Sequence, residues 1–224
     1  MFTGIVQAKG RIAEMRPMPF GRRLVVDRCG WTPVYSGEPR HGDSICVSGV
    51  CLTVVENDGV MLHFDVIAET LAKSKLGDLQ VGEAVNLEPA VTASQPLGGH
   101  FMQGHVDGVG VIREVDRREE ECRITVEPPT ELMDAIVPKG SVAIDGVSLT
   151  IAAVHPDCFE VALIPTTLQI TTLGDVKASD RVNIEADILA KTVVQLLRRQ
   201  QTPREGVTRR TLIEAGFIDD SINV

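Results

Sequence analysis

The chain contains one short phrase twice, with a single reactive atom changed. GVCLTVV occupies residues 49–55 and GVSLTIA occupies residues 146–152, so that Ser148 stands where the first occurrence has Cys51. The same offset aligns LGD with LGD and VNLE with VNIE, and it is maintained from Gly49 to Ala90. A register held over so long a stretch predicts an internal duplication, with two copies of one domain in the chain.

The beginnings of the two copies also match, although at a slightly different offset. TGIVQAKGRI at 3–12 aligns with QGHVDGVGVI at 103–112, and the change of offset falls in polar loops, where insertions cost little. The stretch ASQPLGGH has the Pro and Gly expected of a joint between domains. We therefore expect domains at 1–97 and 98–195, each with its own complete core, and a tail of unknown role at 196–224.

Within each copy the sequence is mostly typical of β-strands. Runs rich in β-branched residues, such as SICVSGVCLTVV and VMLHFDVI, are separated by turn residues. Short strands with short connections favour an all-β fold of antiparallel Greek-key barrels over a parallel βαβ sheet. Each copy also has one helical stretch, ETLAKSKLG or TTLQITTLG, which ends at a glycine suited to the position after a helix.

The end of the second copy departs from the first. ILAKTVVQLLRRQQ consists of good helix formers, with Leu189, Val193 and Leu196 on one stripe and Asp187 at the N-cap. Because both barrels are expected to have cores of their own, we expect this amphipathic helix to bury its stripe against copies of itself. Packing back on its own domain is the alternative. VTRRTLIEAGFI at 207–218 could form one more short helix.

The composition excludes two classes of partner. A net charge of −9 argues against nucleic acid, whose phosphates require a basic surface, and an aromatic content of 4% argues against base stacking. No apolar run approaches the ~20 residues of a membrane-spanning helix. The opening MFTGIVQAKGRIAEM lacks the basic leader and apolar core of a signal peptide. We therefore expect no nucleic acid and no membrane among its partners.

Cysteine and histidine content bears on redox state and metal binding. The five cysteines are odd in number and form no CxxC pair, which indicates reduced thiols in a cytoplasmic protein. His100 and His105 in GGHFMQGH have the one spacing that a metal site could use, but such a pair alone is a weak signal. We predict no metal site.

A set of motifs closely resembles the riboflavin synthase family, of the α-chain type with two lumazine-binding barrels. They are MFTGIV, GVCLTV, GGHFMQGHVDGVG, KGSVAIDGVSLT, LIPTTLQITTLG and VNIEAD, in the family's order from Met1 to about Thr192. The resemblance implies two tandem six-stranded Greek-key barrels with short helices, followed by a C-terminal amphipathic α-helix.

The resemblance also implies a reaction. Riboflavin synthases dismutate two molecules of 6,7-dimethyl-8-ribityllumazine by passing a four-carbon unit from one to the other, and neither a metal nor an organic cofactor takes part. The products are riboflavin and 5-amino-6-ribitylamino-uracil. The family is homotrimeric, and each active site lies between the N-terminal barrel of one subunit and the C-terminal barrel of its neighbour.

The family's ligand contacts can be carried over residue by residue. In the first copy they fall on Gly4, Ile5, Val6, Ser44, Cys51, Leu52, Thr53, Asp65, Val66, Ile67, Ala68, Glu69 and Thr70. In the second copy they fall on Gly104, His105, Val106, Lys139, Ser148, Leu149, Thr150, Ala162, Leu163, Ile164, Pro165, Thr166 and Thr167. Many of these are strand-edge positions, whose backbone groups can bind the pyrimidine edge of a lumazine.

Five of the matched residues are candidates for catalysis. Cys51 could assist a nucleophilic addition at ring C7, could hydrogen-bond the ligand, or could be a small buried hydrophobe. We predict that Ser148 and Asp187 form a polar relay, although Asp187 is also suited to capping a helix.

His105 is a candidate for proton transfer at the C7 methyl group, since its unperturbed pKa lies near working pH. Lys139 supplies a positive charge suited to the anionic, deprotonated lumazine, unless it is an ordinary surface lysine. We expect His100 to support the fold instead.

Two other functions compete with this interpretation. A non-catalytic lumazine- or flavin-binding protein of the same fold would not need His105, Lys139 and Ser148 together, and this chain has all three. A flavin reductase barrel would require a second, nicotinamide-binding domain, which the residues after the second copy are too few to form.

Overall fold

The structure is a computed structural model that describes residues 1–118, 121–201, 212–213 and 215–216. The additional helix predicted for 207–218 falls mostly outside this described part. No helix in the described ranges is long and apolar enough to cross a membrane.

The first copy folds into a closed antiparallel barrel. Its strands are β1 (Ala8–Met18), β2 (Gly21–Asp27), β3 (Ser44–Val47), β4 (Val50–Asn57), β5 (Met61–Ile67) and β6 (Ala84–Pro89). They are hydrogen-bonded in the order β1-β2-β5-β4-β3-β6, and β6 closes onto β1 through pairs from Ala8–Leu87 to Arg11–Ala84. The predicted six-stranded barrel is confirmed.

The second copy forms a second closed barrel with the same order. Its strands are β7 (Gly108–Arg117), β8 (Cys122–Glu127), β9 (Ser141–Ile144), β10 (Val147–Val154), β11 (Phe159–Leu163) and β12 (Arg181–Ala186). The order β7-β8-β11-β10-β9-β12 reproduces that of the first barrel, so the predicted duplication holds in three dimensions.

The strands alternate between inward and outward side chains, as half-buried strands do. In β5 the side chains of Leu62, Phe64 and Val66 point into the core while their neighbours are partly exposed. Full burial of such a side chain stabilises the fold by ~1.5–3 kcal/mol. The opening strands of both barrels shift register at the same place, after Ile12 and after Ile112, and bulges of this kind let a strand curve around a small barrel.

The short helices begin where predicted but end for a different reason. α1 (Ala68–Lys73) and α2 (Pro165–Ile170) stop before the glycines, which instead end the 3-10 turns Lys75–Gly77 and Thr172–Gly174. Neither glycine adopts the left-handed conformation of a helix cap. A Cβ on Gly77 would lie 2.3 Å from the carbonyl oxygen of Leu71, so glycine is required there by close backbone approach.

The predicted C-terminal helix is present as α3 (Ile188–Gln201). Its N-cap is Asp187, whose Oδ1 accepts a 2.8 Å hydrogen bond from the backbone N–H of Leu189. The side chains of the predicted stripe, Leu189, Val193 and Leu196, are 62%, 55% and 56% exposed.

Two asparagines at equivalent positions join the barrels, which belong to one compact unit, Met1–Lys191. The Asn86 side-chain amide donates to the backbone oxygen of Asp145 at 2.8 Å, and that of Asn183 donates to the backbone oxygen of Ser48 at 2.7 Å. All four residues are buried, so each amide satisfies a carbonyl that would otherwise lack a partner.

One ion pair breaks the symmetry of this interface. The Lys75 ammonium contacts the carboxylate of Asp145, which is fully buried. At the equivalent positions of the two copies, Thr172 corresponds to Lys75 and Ser48 corresponds to Asp145, and neither Thr172 nor Ser48 carries a charge. The interface surface of the first copy contributes a positive charge, Lys75, and that of the second contributes a negative charge, Asp145. Each surface is therefore complementary in charge to the other copy and not to itself.

Candidate active site

The segments that precede the two barrels are exchanged between them. The backbone N–H of Ser148, in the second barrel, donates to the carbonyl of Gly4 at 2.9 Å, and that of Cys51, in the first, donates to Gly104 at 2.8 Å. Where the segments cross, Phe2 and Met102 form an isolated antiparallel bridge.

The exchange extends into the cores. Val6 belongs to the core of the second barrel, and Val106 packs against the core of the first. The expectation that each copy contains its own complete core is therefore wrong. Each barrel is completed by the segment that opens the other copy.

Two buried carboxylates hold the exchanged segments in place. Glu88 on β6 accepts hydrogen bonds from the backbone N–H groups of Thr3 and Gly4 at 2.7 and 3.0 Å. Glu185 on β12 accepts the corresponding bonds from Gln103 and Gly104, also at 2.7 and 3.0 Å. Burial raises the pKa of both carboxyls, while the N–H donors lower it in part. Each such bond to a charged group stabilises the fold by ~1.5–3 kcal/mol.

Gly4 and Gly104 are required by both conformation and space. Their φ angles are +77° and +76°, in the left-handed region. A Cβ on Gly4 would lie 2.5 Å from the Cβ of Ser148, and one on Gly104 would lie 2.7 Å from the Cβ of Cys51. The exchanged backbones therefore lie directly against the two residues that differ between the copies.

The first pocket is a cavity of about 200 Å³ that contains Cys51. The predicted contacts Ile67, Glu69, Thr70, Gly104, His105 and Val106 line it, together with Val50, Lys73 and Ser74. His105 thus belongs to the pocket of Cys51, and the grouping of His105 with Ser148 by sequence copy is wrong. The physical reason is the exchange of segments, which brings residues 104–106 to the first barrel.

The equivalent site in the second barrel is centred on Ser148, which lies beside Gly4 of the exchanged segment. The side chain of Ser148 lies 2.7 Å from Nδ1 of His100, a residue that is only 8% exposed. Burial lowers the pKa of His100, and the carboxylate of Asp187 opposes this in part. Burial therefore favours the neutral form of the imidazole.

The predicted polar relay between Ser148 and Asp187 is not a direct hydrogen bond between these two side chains in the described part of the chain. The Asp187 carboxylate accepts a hydrogen bond from the backbone N–H of Leu189, while the Ser148 hydroxyl is hydrogen-bonded to His100. The charge of the Asp187 carboxylate raises the pKa of His100. Asp187 therefore influences the Ser148–His100 pair by its charge and not by a hydrogen bond. The expectation that His100 only supports the fold does not account for this contact.

The remaining predicted contacts divide by the direction of their side chains. Leu52, Val66, Leu149 and Leu163 point into the barrel cores, so only their backbone groups can face a ligand. Exposed side chains are those of Ile5, Thr53, Ile67, Ala68, Glu69, Thr150, Ala162, Ile164, Pro165 and Thr166, while Thr70 and Thr167 are partly buried.

Three predicted residues are not placed with Cys51 or Ser148. Asp65 forms a two-pronged ion pair with Arg23 at 2.7 and 2.9 Å, which lowers the pKa of its carboxyl. Ser44 lines a separate cavity of about 370 Å³ beside Pro89. Lys139 is exposed, in a turn with φ +65° that leads into β9.

Sequence reasoning missed three residues that shape the site. Glu88 and Glu185 are buried acids, and their recurrence in VNLE and VNIE is the signal that could have identified them. His100 gave no comparable signal, because its partner Ser148 is distant in the sequence. Among the described residues, no cluster of three or more potential ligands could hold a metal ion.

The chain is similar in sequence to known proteins. The family Lumazine binding domain matches residues 3–90 and again residues 103–187. Riboflavin synthase of Mycobacterium tuberculosis (strain ATCC 25618 / H37Rv) is 44% identical over 206 residues, which cover 88% of this chain and 98% of that protein. Riboflavin synthase of Escherichia coli (strain K12) is 38% identical over 223 residues, covering 96% and 100%.

Solved structures of LumP show the same fold. LumP complexed with 6,7-dimethyl-8-(1'-D-ribityl) lumazine superposes with a TM-score of 0.72 at 26% identity, covering 83% of this chain and 99% of that one. LumP complexed with riboflavin gives a TM-score of 0.73 at 28% identity with the same coverage.

Proposed function

This chain belongs to the riboflavin synthase family, and we propose that it catalyses the dismutation of two 6,7-dimethyl-8-ribityllumazine molecules into riboflavin and 5-amino-6-ribitylamino-uracil. The observation that supports this most is that Cys51 and Ser148 occupy equivalent positions in the two barrels, each packed against a glycine of the exchanged segment, and differ in their polar atom. Two identical substrates need two similar sites, and their different roles as donor and acceptor of the four-carbon unit need different polar groups.

The pocket at Cys51 is small and open, which favours an active site shared between subunits. A cavity of about 200 Å³ is small beside the ~300–1,000 Å³ of sites that enclose a ligand. Ile67 and Ile164, at equivalent positions, are 52% and 64% exposed. We therefore place the first barrel of one subunit against the second barrel of a neighbour, so that two lumazines lie face to face. Holding two reactants in this way contributes ~7–11 kcal/mol of the barrier reduction.

The side chains of the pockets suit different steps. In the first pocket, Cys51 faces ring C7 for nucleophilic assistance and His105 transfers a proton at the C7 methyl group. In the second pocket, Ser148 is the polar group that contacts the ring, with Asp187 nearby. Lys139 provides a positive charge for the deprotonated lumazine, and the backbone groups at the other predicted contact positions bind the pyrimidine edge.

The assembly we propose is a cytoplasmic homotrimer of subunits with lumazine-binding domains at 1–97 and 98–195. Its support is the apolar stripe of α3, which is more than half exposed at Leu189, Val193 and Leu196. Replacing Leu196 by Asp would place a charge in an apolar contact and release monomers. Sedimentation measures this directly, and a variant that still sediments as a trimer would contradict the role of the stripe.

The reaction is tested with the purified full chain and 6,7-dimethyl-8-ribityllumazine alone. We expect riboflavin to appear at half the rate of lumazine loss, without any added cofactor, as followed by absorbance. The chain with both Cys51→Ala and Ser148→Ala is the matched control for non-enzymatic conversion. Lumazine that binds to the wild-type chain without conversion would instead support the non-catalytic binding protein.

A further inference from the structure

His100 is a buried imidazole with one nitrogen engaged and one without a partner. Its Nδ1 lies 2.7 Å from the hydroxyl of Ser148. Its Nε2 is buried and has no hydrogen-bond partner among the described residues. A buried polar nitrogen without a partner is unfavourable, so a histidine retained in this state calls for a reason other than stability.

The surroundings of His100 are shaped to keep it against Ser148. A Cβ on the preceding residue, Gly99, would lie 2.9 Å from Ser148 Oγ and 2.1 Å from the carbonyl oxygen of Thr3. The backbone N–H of His100 donates to the same Thr3 carbonyl at 3.2 Å. The loop before the second barrel, the exchanged segment and β10 therefore meet at one hydroxyl.

Cys51, the counterpart of Ser148, has no such partner for its sulfur among the described residues; its pocket contains the exposed His105 instead. The difference matches the chemistry of the two groups. A thiol is intrinsically the stronger nucleophile, whereas a serine hydroxyl needs an adjacent base. The change from sulfur to oxygen between the copies is thus accompanied by a base at the oxygen.

We propose that His100 is a positioning residue that orients the Ser148 hydroxyl and accepts its proton during the reaction. The hydroxyl donates to Nδ1, so that the lone pairs of Oγ face a bound ring. When Oγ takes a proton from the C7 methyl group, the hydroxyl proton moves to Nδ1. The electron pair of the broken C–H bond stays on the ring, the imidazole becomes a cation, and the Asp187 carboxylate stabilises that cation. This inference rests on the proposed function.

A double-mutant cycle separates this role from a structural one. His100→Phe should lower kcat by about 100-fold, as expected for loss of a general base, with KM changed by less than about threefold. In the Ser148→Ala background the same change should alter kcat by less than about threefold, since His100 acts through Ser148. An equal loss in both backgrounds, or a rise in KM alone, would overturn the proposal.

His100→Asn is the conservative variant and decides the question if His100→Phe does not fold. The Asn amide reaches the position of Nδ1 and keeps a hydrogen bond to Ser148, but it cannot accept the proton. We expect wild-type affinity for riboflavin and a kcat close to that of Ser148→Ala. Wild-type kcat in His100→Asn would refute the relay. His155→Phe, which removes an exposed imidazole bonded to Glu160 at 2.7 Å, is the control that should leave kcat unchanged.

The wild-type chain distinguishes the two levels of inference. If it does not convert lumazine, the proposed function and the relay fail together. If it converts lumazine and His100→Asn is equally active, only the relay fails.

Discussion

The sites around Cys51 and Ser148 have the same backbone arrangement but different neighbouring side chains. In each, a glycine in the left-handed conformation brings an exchanged segment against β4 or β10, and a buried glutamate anchors that segment. The side chains beside this shared backbone differ. In the first barrel Cys51 lies in a pocket with an exposed His105, and in the second barrel Ser148 is hydrogen-bonded to a buried His100. The two copies therefore share the groups that fix the backbone and differ in the side chains for which we propose chemical roles.

The largest expected effect concerns the buried ion pair between Lys75 and Asp145, which has no equivalent in the other half of the barrel–barrel interface. Lys75→Thr, which introduces the residue of the equivalent position, leaves the Asp145 carboxylate buried without its cation. Loss of one partner from a buried pair costs ~3–5 kcal/mol of unfolding free energy. The double variant Lys75→Thr with Asp145→Ser restores the uncharged arrangement of the other half. Urea denaturation should show the double variant to be more stable than Lys75→Thr, and the opposite order would deny that the pair is buried in this way.

A smaller effect is expected where the exchanged segment meets Ser148. Gly4→Ala places a methyl group against the Ser148 backbone and side chain, whereas Gly30→Ala, at the same φ of +77°, has nothing within 4 Å. The strain of the left-handed conformation is common to both, so their difference reports the contact alone. We expect Gly4→Ala to be less stable than Gly30→Ala by ~1–3 kcal/mol, measured by urea denaturation. Equal stabilities would contradict the close approach.

Exchanging the reactive atoms tests whether the pockets have different roles. Cys51→Ser places a hydroxyl in the first pocket but supplies no counterpart of the buried His100, which is hydrogen-bonded to Ser148 in the second barrel. We expect kcat to fall by ~10–100-fold, equivalent to ~1.4–2.7 kcal/mol of barrel-specific transition-state stabilisation. Ser148→Cys, which keeps His100 beside a more acidic group, should lose less. Equal losses in steady-state assays of the two variants would mean that the pockets are chemically interchangeable.

The smallest expected effect concerns the first residues of the two short helices, Ala68 and Pro165, which differ in backbone hydrogen bonding. The backbone N–H of Ala68 donates to the carbonyl of Phe20 at 3.0 Å, and the equivalent Pro165 has no N–H to donate. Ala68→Pro should therefore cost up to ~1 kcal/mol, because one backbone bond is lost. Thermal unfolding measures this change, with Ala68→Ser as the control that retains the N–H group. A stabilised Ala68→Pro variant would contradict the importance of that bond.

The sequence predicted the barrels and the capped helix because these depend on local patterns. β-branched runs, turn residues and the repeat itself determine strands and their equivalence, and Asp187 before an apolar stripe specifies a helix start. The glycine at the end of each short helix was misjudged because its role depends on a carbonyl several residues earlier, at Leu71 or Leu168.

The grouping of the site residues could not be predicted in the same way. An alignment of two copies shows that Gly4 and Gly104 are equivalent, but it does not show which barrel each one touches. Packing within a copy and packing across copies satisfy the same apolar pattern. Only the contacts of Val6 and Val106 in three dimensions show that the packing is across copies. The same contacts show that His105 belongs to the pocket of the first barrel.

The exchanged segments also constrain how the chain can be synthesised and folded. The core of the first barrel needs Val106, so that barrel cannot be completed when a ribosome has delivered only its own six strands. Val6, which is made before the whole second copy, has no core to enter until β12 (Arg181–Ala186) closes the second barrel. Contacts between residues so distant in the chain form late and slow folding. The segment that carries Val6 therefore remains without its core throughout translation of the second copy, and in this interval its apolar side chain is open to aggregation and to chaperones.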